Sequence, residues 1–246
     1  MDSNTTIVLL TLVAAAVVPA VGYYLRKRKQ TTGDQQQRSS GGIRPVFIQV
    51  DKKPDRNADV YFMPIGLFPQ HHMKAIEKYY KRFGWLRIEV LPHWPVLPEM
   101  VDGKRNQVIA EQLITQVSQM FRWTTHNPGA IVIGITPMDM FSVERDWNYV
   151  YVKREGSHCT VISSAHLTVN ADGQRTDEET YLARTRKMIT KTIGLQYYGL
   201  ETNWDPASVM YSNVHGVEDL DRIDEHTMYR DIFAPGEKTK KILAAG

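Results

Sequence analysis

Residues 177–211 read DEETYLARTRKMITKTIGLQYYGLETNWDPASVMY. Leu182, Ile189, Ile193 and Tyr197 recur at helical spacing and predict a long helix over Asp177 to Tyr198 with one apolar face turned inward. After it, Asp205-Pro206 reads as a turn start and His215-Gly216 as a loop, followed by a last helix over Glu218 to Phe233. Upstream, Asn148 to Lys153 and Cys159 to Ser163 read as two strands joined by a short turn at Gly156, a hairpin. The stretch Ala130 to Ile135 is apolar on both faces, which suits a strand in the middle of a sheet. Further toward the N-terminus come a helix over Asn106 to Arg122, a strand over Leu86 to Leu91, a helix over Pro69 to Phe83 closed by Gly84, and a strand over Val60 to Ile65. The order is β-α-β-α-β, then β-β, then α, loop, α. That is an α/β domain with a mixed sheet, flanking helices and a helical C-terminal part.

The 246 residues are 42% hydrophobic and 23% charged, an ordinary globular composition. A net charge of +3 is too mild to imply nucleic acid as a partner. The single cysteine, Cys159, excludes an internal disulfide and a multi-cysteine metal centre, and its strand-like flanks predict a small buried side chain.

The N-terminal segment differs from the rest. Ile7 to Leu25, IVLLTLVAAAVVPAVGYYL, carries no charge, and its 19 residues at 1.5 Å each span nearly the roughly 30 Å hydrocarbon core of a bilayer. Tyr23 and Tyr24 fall at an interfacial position, and Arg26-Lys27-Arg28-Lys29 follows at once. This predicts one transmembrane helix in a single-pass membrane protein, with the N-terminus outside and the soluble domain cytoplasmic. Ala16 and Ala20 form a small-xxx-small pair that lets another helix approach, so the expected partners are the lipid bilayer and an integral membrane protein. Gln30 to Arg44, QTTGDQQQRSSGGIR, has almost nothing to bury and reads as a tether. The expected organisation is an anchor with basic flank (1–29), a flexible linker (30–45), a soluble domain (46–236) and a C-terminal tail (237–246).

Several stretches of the soluble domain together resemble the archaemetzincin family of the metzincin clan of zinc metalloproteases. Ile133-Gly134-Ile135-Thr136 followed by Asp139-Met140-Phe141 resembles that family's strand into an aspartate-aromatic turn. Asp146 to Tyr151 resembles its next strand. Val161 to Leu167 resembles the strand ending S-x-x-R-L, with His166 where arginine is usual. Tyr198-Gly199-Leu200 resembles the glycine bend after the zinc-binding helix, and Ser208-Val209-Met210-Tyr211 resembles the methionine turn beneath the metal. The resemblance spans about Val60 to Phe233 and implies a metzincin-like mixed, twisted sheet with a helical C-terminal subdomain.

The resemblance also implies where zinc ligands would stand. The family pattern is H-E-x-x-H-x-x-G-x-x-H, with the glutamate as base for the attacking water. The spacing from Gly199 to Met210 sets the register. The first histidine then falls on Thr192, the glutamate on Ile193, the second histidine on Gln196 and the third on Thr202. The cysteines of the family's structural zinc fall on Asn203, Ser208, Met228 and Asp231. Zinc takes imidazole, thiolate or carboxylate donors, and these positions offer neutral oxygens or none. No catalytic, cofactor-binding or metal residue is therefore expected, and no cofactor. The sequence alone thus leads to a pseudoenzyme: not an enzyme, but an accessory or interaction subunit of a larger membrane complex. Two alternatives stay open. One is a zinc metallopeptidase with relocated ligands, for which Glu201, Asp205 and His215 lie nearest in sequence. The other is a peptide-binding module using the substrate cleft beside the sheet edge. His71-His72, in the first turn of a helix, reads as a surface or capping pair.

Overall fold

The stretch IVIGIT forms β5 (Ile131–Thr136), and all six residues are buried. It pairs in parallel with β1 (Val60–Pro64) on one side and β8 (Cys159–Ser163) on the other. Outside β1 lies β2 (Ile88–Val90), also parallel, and outside β8 lies β7 (Val152–Glu155), antiparallel. The strand order is β2-β1-β5-β8-β7, which leaves β7 at one edge of a mixed five-stranded sheet. The computed structural model describes Pro54–Thr227 with the exception of Asp146.

Alternation along the strands sends successive side chains to opposite faces and so builds two cores. Phe62, Ile131 and Ile133 meet α1 (Gln70–Lys81), α3 (Glu178–Gln196) and α4 (Val217–Arg222) through Met73, Ile76, Ile189, Ile193 and Leu220. Tyr61, Met63 and Val132 meet the opposite helix, α2 (Ala110–Thr124), through Leu113, Ile114 and Val117. Gly134 is where the second of these layers cannot hold a side chain. A Cβ there would come within 2.6 Å of Ile65 Cδ1.

The long helix starts where its first turn can be capped. The Asp177 carboxylate accepts from the Thr180 amide at 2.9 Å, and Glu178 and Glu179 face the positive end of the helix dipole. The helix buries polar residues as well as apolar ones, so each requires a partner. Arg184, 2% exposed, donates to both Asp221 carboxylate oxygens (2.8 and 2.7 Å), to the carbonyls of Leu167 and Val169, and to Asn170 Oδ1. One guanidinium thereby fixes α3 to α4 and to the loop that follows β8.

Several sequence expectations are adjusted. A second sheet, in the order β3 (Val101–Asp102), β4 (Gln107–Ile109), β6 (Met140–Phe141), was not expected. The first strand of the hairpin starts later than expected, because the Val150 amide donates to Met140 O and not to β8. The last helix ends at Arg222 within the described residues. Trp85, Trp147 and Trp204 are all more than half exposed. Among the described residues no helix is long and apolar enough to cross a membrane, and the anchor expected at residues 7–25 lies outside them.

Candidate functional site

The C-terminal half of α3 carries the positions that matter. The amides of Tyr197 and Tyr198 both return to Ile193 O (2.9 and 3.2 Å), and the Leu200 amide returns to Gly194 O (2.9 Å). Gly199 sits at φ +63°, the left-handed conformation that closes a helix and favours glycine. The chain then doubles back: the Asn203 amide donates to Met210 O (3.0 Å) and the Ser212 amide to Asn203 O (2.8 Å). Met210 is buried in the same core as Ile189 and Ile193. The glycine bend and the methionine turn are thus both present beside α3.

The side chains at the expected ligand positions do not converge on one point. Thr192 is fully buried, and its hydroxyl donates to Met188 O at 3.0 Å, inside its own helix. Ile193 lies in the core. Gln196 accepts from the Thr160 hydroxyl at 2.6 Å and donates to the carbonyls of Gly156 (3.2 Å) and Cys159 (3.1 Å). Thr202 is exposed. These groups do not fit a zinc dication, and no chemical step is assigned to a metal at this place.

A different cation occupies the neighbourhood. Lys191 is 9% exposed, and its ammonium donates to the carbonyl of Tyr211, the residue after Met210. Burial, reinforced by the positive charge of Arg154, pulls the Lys191 pKa down to about 8. Arg154 stands on β7, whose outer edge is unpaired among the described residues. Lys153 points to the α2 side, where it pairs with Glu111 (2.8 Å) and Glu144 (2.6 Å). Alternation turns Arg154 to the α3 side. Among the described residues no carboxylate pairs with Lys191 or Arg154. Tyr197 bonds to Asp59, Tyr198 is buried in the core, and Gln196 donates to the Gly156 carbonyl in the turn after β7.

Two further contacts were not legible in the sequence. Asn203 and Ser208, where two cysteines of the family's structural zinc would stand, touch directly: Asn203 Nδ2 donates to Ser208 Oγ at 2.9 Å. Met228 and Asp231 lie outside the described residues. His166, at the usual arginine position, still meets the aspartate turn. Its Nε2 lies 3.0 Å from Asp139 Oδ1, while Gln107 donates to Asp139 Oδ2 at 2.7 Å and the imidazole stacks on Tyr149 at 3.9 Å. The relocated set Glu201, Asp205 and His215 is not gathered. Asp205 caps the Ala207 amide at 2.9 Å, the His215 amide is held by Asp219 at 2.9 Å, and Glu201 is exposed.

Solved structures share this architecture. The zinc-dependent peptidase from Methanocorpusculum labreanum superposes with a TM-score of 0.57 at 15% identity, over 75% of this chain and 99% of that one. The archaemetzincin from Methanopyrus kandleri gives 0.54 at 21% identity, over 75% and 95%. The archaemetzincin from Archaeoglobus fulgidus, complexed with malonate, gives 0.52 at 21% identity, over 68% and 92%. No protein-family model matches the chain, and no curated protein matches it.

These likenesses correct the expectation that the chain is not an enzyme. One of the structures is of a zinc-dependent peptidase and the other two are archaemetzincins, so the fold gives no ground for that expectation. Residue types at the expected ligand positions leave open chemistry built elsewhere on the scaffold. The chain has an archaemetzincin-like fold.

Proposed function

We propose that this chain is a membrane-anchored protein of peptidase architecture whose ligand is an extended peptide, held in the cleft between β7 and α3. The peptide adds a strand to the free edge of β7, and its carboxylate, terminal or side-chain, is met by Arg154 and Lys191. The observation that carries this reading is the pair of cations, one on the edge strand and one on the helix, with no carboxylate paired to either among the described residues. Main-chain pairing supplies affinity of a sequence-tolerant kind, and the two cations supply preference for an anionic group. The fold likeness to zinc peptidases supports a peptide as the ligand class. The anchor expected at residues 7–25 would keep the cleft within reach of cytoplasmic segments of an integral membrane partner.

The test uses the full chain in detergent micelles and fluorescent peptides that differ only in a free or amidated C-terminus. A charge-assisted contact predicts that amidation, or Arg154→Glu, weakens binding by roughly ten- to a hundredfold. Mass spectrometry of the same mixtures, with and without added zinc, reads out whether a bound peptide is cut. Equal affinity for the two peptides in both proteins would sink the assignment of the cleft.

A further inference from the structure

We propose that His71, His72 and Glu178 form a binding site for a divalent transition-metal ion of the zinc class, with a fourth position open to water. Neighbouring residues on a helix normally diverge by about 100°. Here both histidines stand in the first turn of α1, and their rings lie 4.1 Å apart, turned toward the first residue of α3. His72 Nε2 is 3.1 Å from Glu178 Oε1 and His71 Nε2 is 3.8 Å from the same oxygen. Ligand atoms of all three residues lie within 4.8 Å of one another, the one such gathering among the described residues.

Those separations suit an ion. A tetrahedron with metal–ligand distances of about 2.1 Å places its ligand atoms about 3.4 Å apart. The two observed distances bracket that value, so an ion can enter with small side-chain movements and no shift of either helix. Two imidazoles, one carboxylate and a water form a donor set that zinc accepts, whereas calcium or magnesium would call for more oxygens.

The surroundings divide the roles. His72 is held firmly: its side chain is 15% exposed, with Phe68 and Tyr181 rings packed against it at 6.3 and 5.0 Å. His72 Nδ1 is buried without a hydrogen-bond partner. His71 and Glu178 are 70% and 63% exposed, leaving an entry path and room for a water ligand. The positive ends of α1 and α3 oppose a cation, at a cost of about two- to fivefold in affinity each, too little to decide the outcome.

This site is separate from the cleft. Glu178 lies four turns from Thr192 along α3, roughly 21 Å at 1.5 Å per residue. The peptide reading therefore survives or fails independently.

The experiment titrates zinc chloride into chelator-treated full chain in detergent by calorimetry, with cobalt(II) absorption as a second readout. About one equivalent should bind, and cobalt should give the visible bands of a tetrahedral ion. His71→Ala and Glu178→Gln, both at exposed positions, should shift thermal unfolding of the metal-free protein by no more than about 2–4 °C and weaken zinc binding by roughly a hundredfold or more, beyond the effect of losing an outer-shell partner. Glu201→Gln and His215→Ala should leave binding unchanged. No uptake by the parent chain, or uptake undiminished in both His71→Ala and Glu178→Gln, would overturn the site.

Discussion

The Lys191 ammonium donates a hydrogen bond to the main-chain carbonyl of Tyr211, joining α3 to the residue that follows Met210. A single positive charge is thus built into the segment where the resemblance implies a metal. Its burial has a measurable cost. The folded pKa is about 8 against an ordinary 10.5, so the unfolded chain binds this proton more tightly. Stability should therefore rise as the pH climbs from about 8 to 10.5, by on the order of 3 kcal/mol from this group.

Lys191→Met tests the point directly. It removes the buried charge and keeps most of the volume, while leaving the Tyr211 carbonyl without its donor. We expect a net gain of about 1–2 kcal/mol near neutral pH and a flattened alkaline rise, read from urea unfolding at several pH values. If parent and variant show parallel pH curves between 8 and 10.5, the buried-ammonium account is wrong. The same variant should weaken the peptide carboxylate contact.

Glu111 provides the matching prediction on the acid side. Burial by itself would raise its pKa, but hydrogen bonds from Lys153 and Ser142 and from backbone amides override this and bring it to about 2. The stabilisation is present above the ordinary value of 4.5 and disappears as the pH falls through that value toward 2. The side chain is 18% exposed, so the contribution is of the order of 3 kcal/mol at most. Glu111→Gln should destabilise the protein at neutral pH and flatten the acid limb of its stability curve. An unchanged acid limb in calorimetry would remove Glu111 from the account of how α2 is held to β7.

Gly134→Ala probes the central strand. The added methyl would meet Ile65 Cδ1 at 2.6 Å and Val161 Cγ2 at 3.4 Å, both on side chains with no exposed surface to move into. Overpacking of this kind costs about 1–3 kcal/mol. Chemical denaturation should show a lower midpoint at an unchanged slope. A variant as stable as the parent would mean that Ile65 has an alternative rotamer and the layer is looser than it looks.

Periodicity carried most of the fold at the level of sequence. IVIGIT has no polar position, so it had to be covered on both faces, and it is the middle strand. The stripe of Leu182, Ile189 and Ile193 had to face a core, and it does. The small sheet of β3, β4 and β6 escaped notice because strands of two or three residues have no period to read. Val150 was placed in the wrong pairing for a similar reason: alternation names a face of a strand but not its neighbour.

The candidate sites divide in the same way. Sequence by itself determined which residue types occupy each position: hydroxyl, alkyl and amide groups at Thr192, Ile193 and Gln196, and a lone pair of histidines at 71 and 72. Tertiary structure alone decided what those groups do. It turned the Thr192 hydroxyl back onto its own helix, carried Lys191 to Tyr211, brought Asn203 against Ser208, and set Glu178 beside two histidines that looked like surface residues. The physical reason is that local patterns record how often a side chain must be buried. Ligation, pairing and charge depend instead on distances between residues far apart in the chain, and only the folded backbone sets those distances.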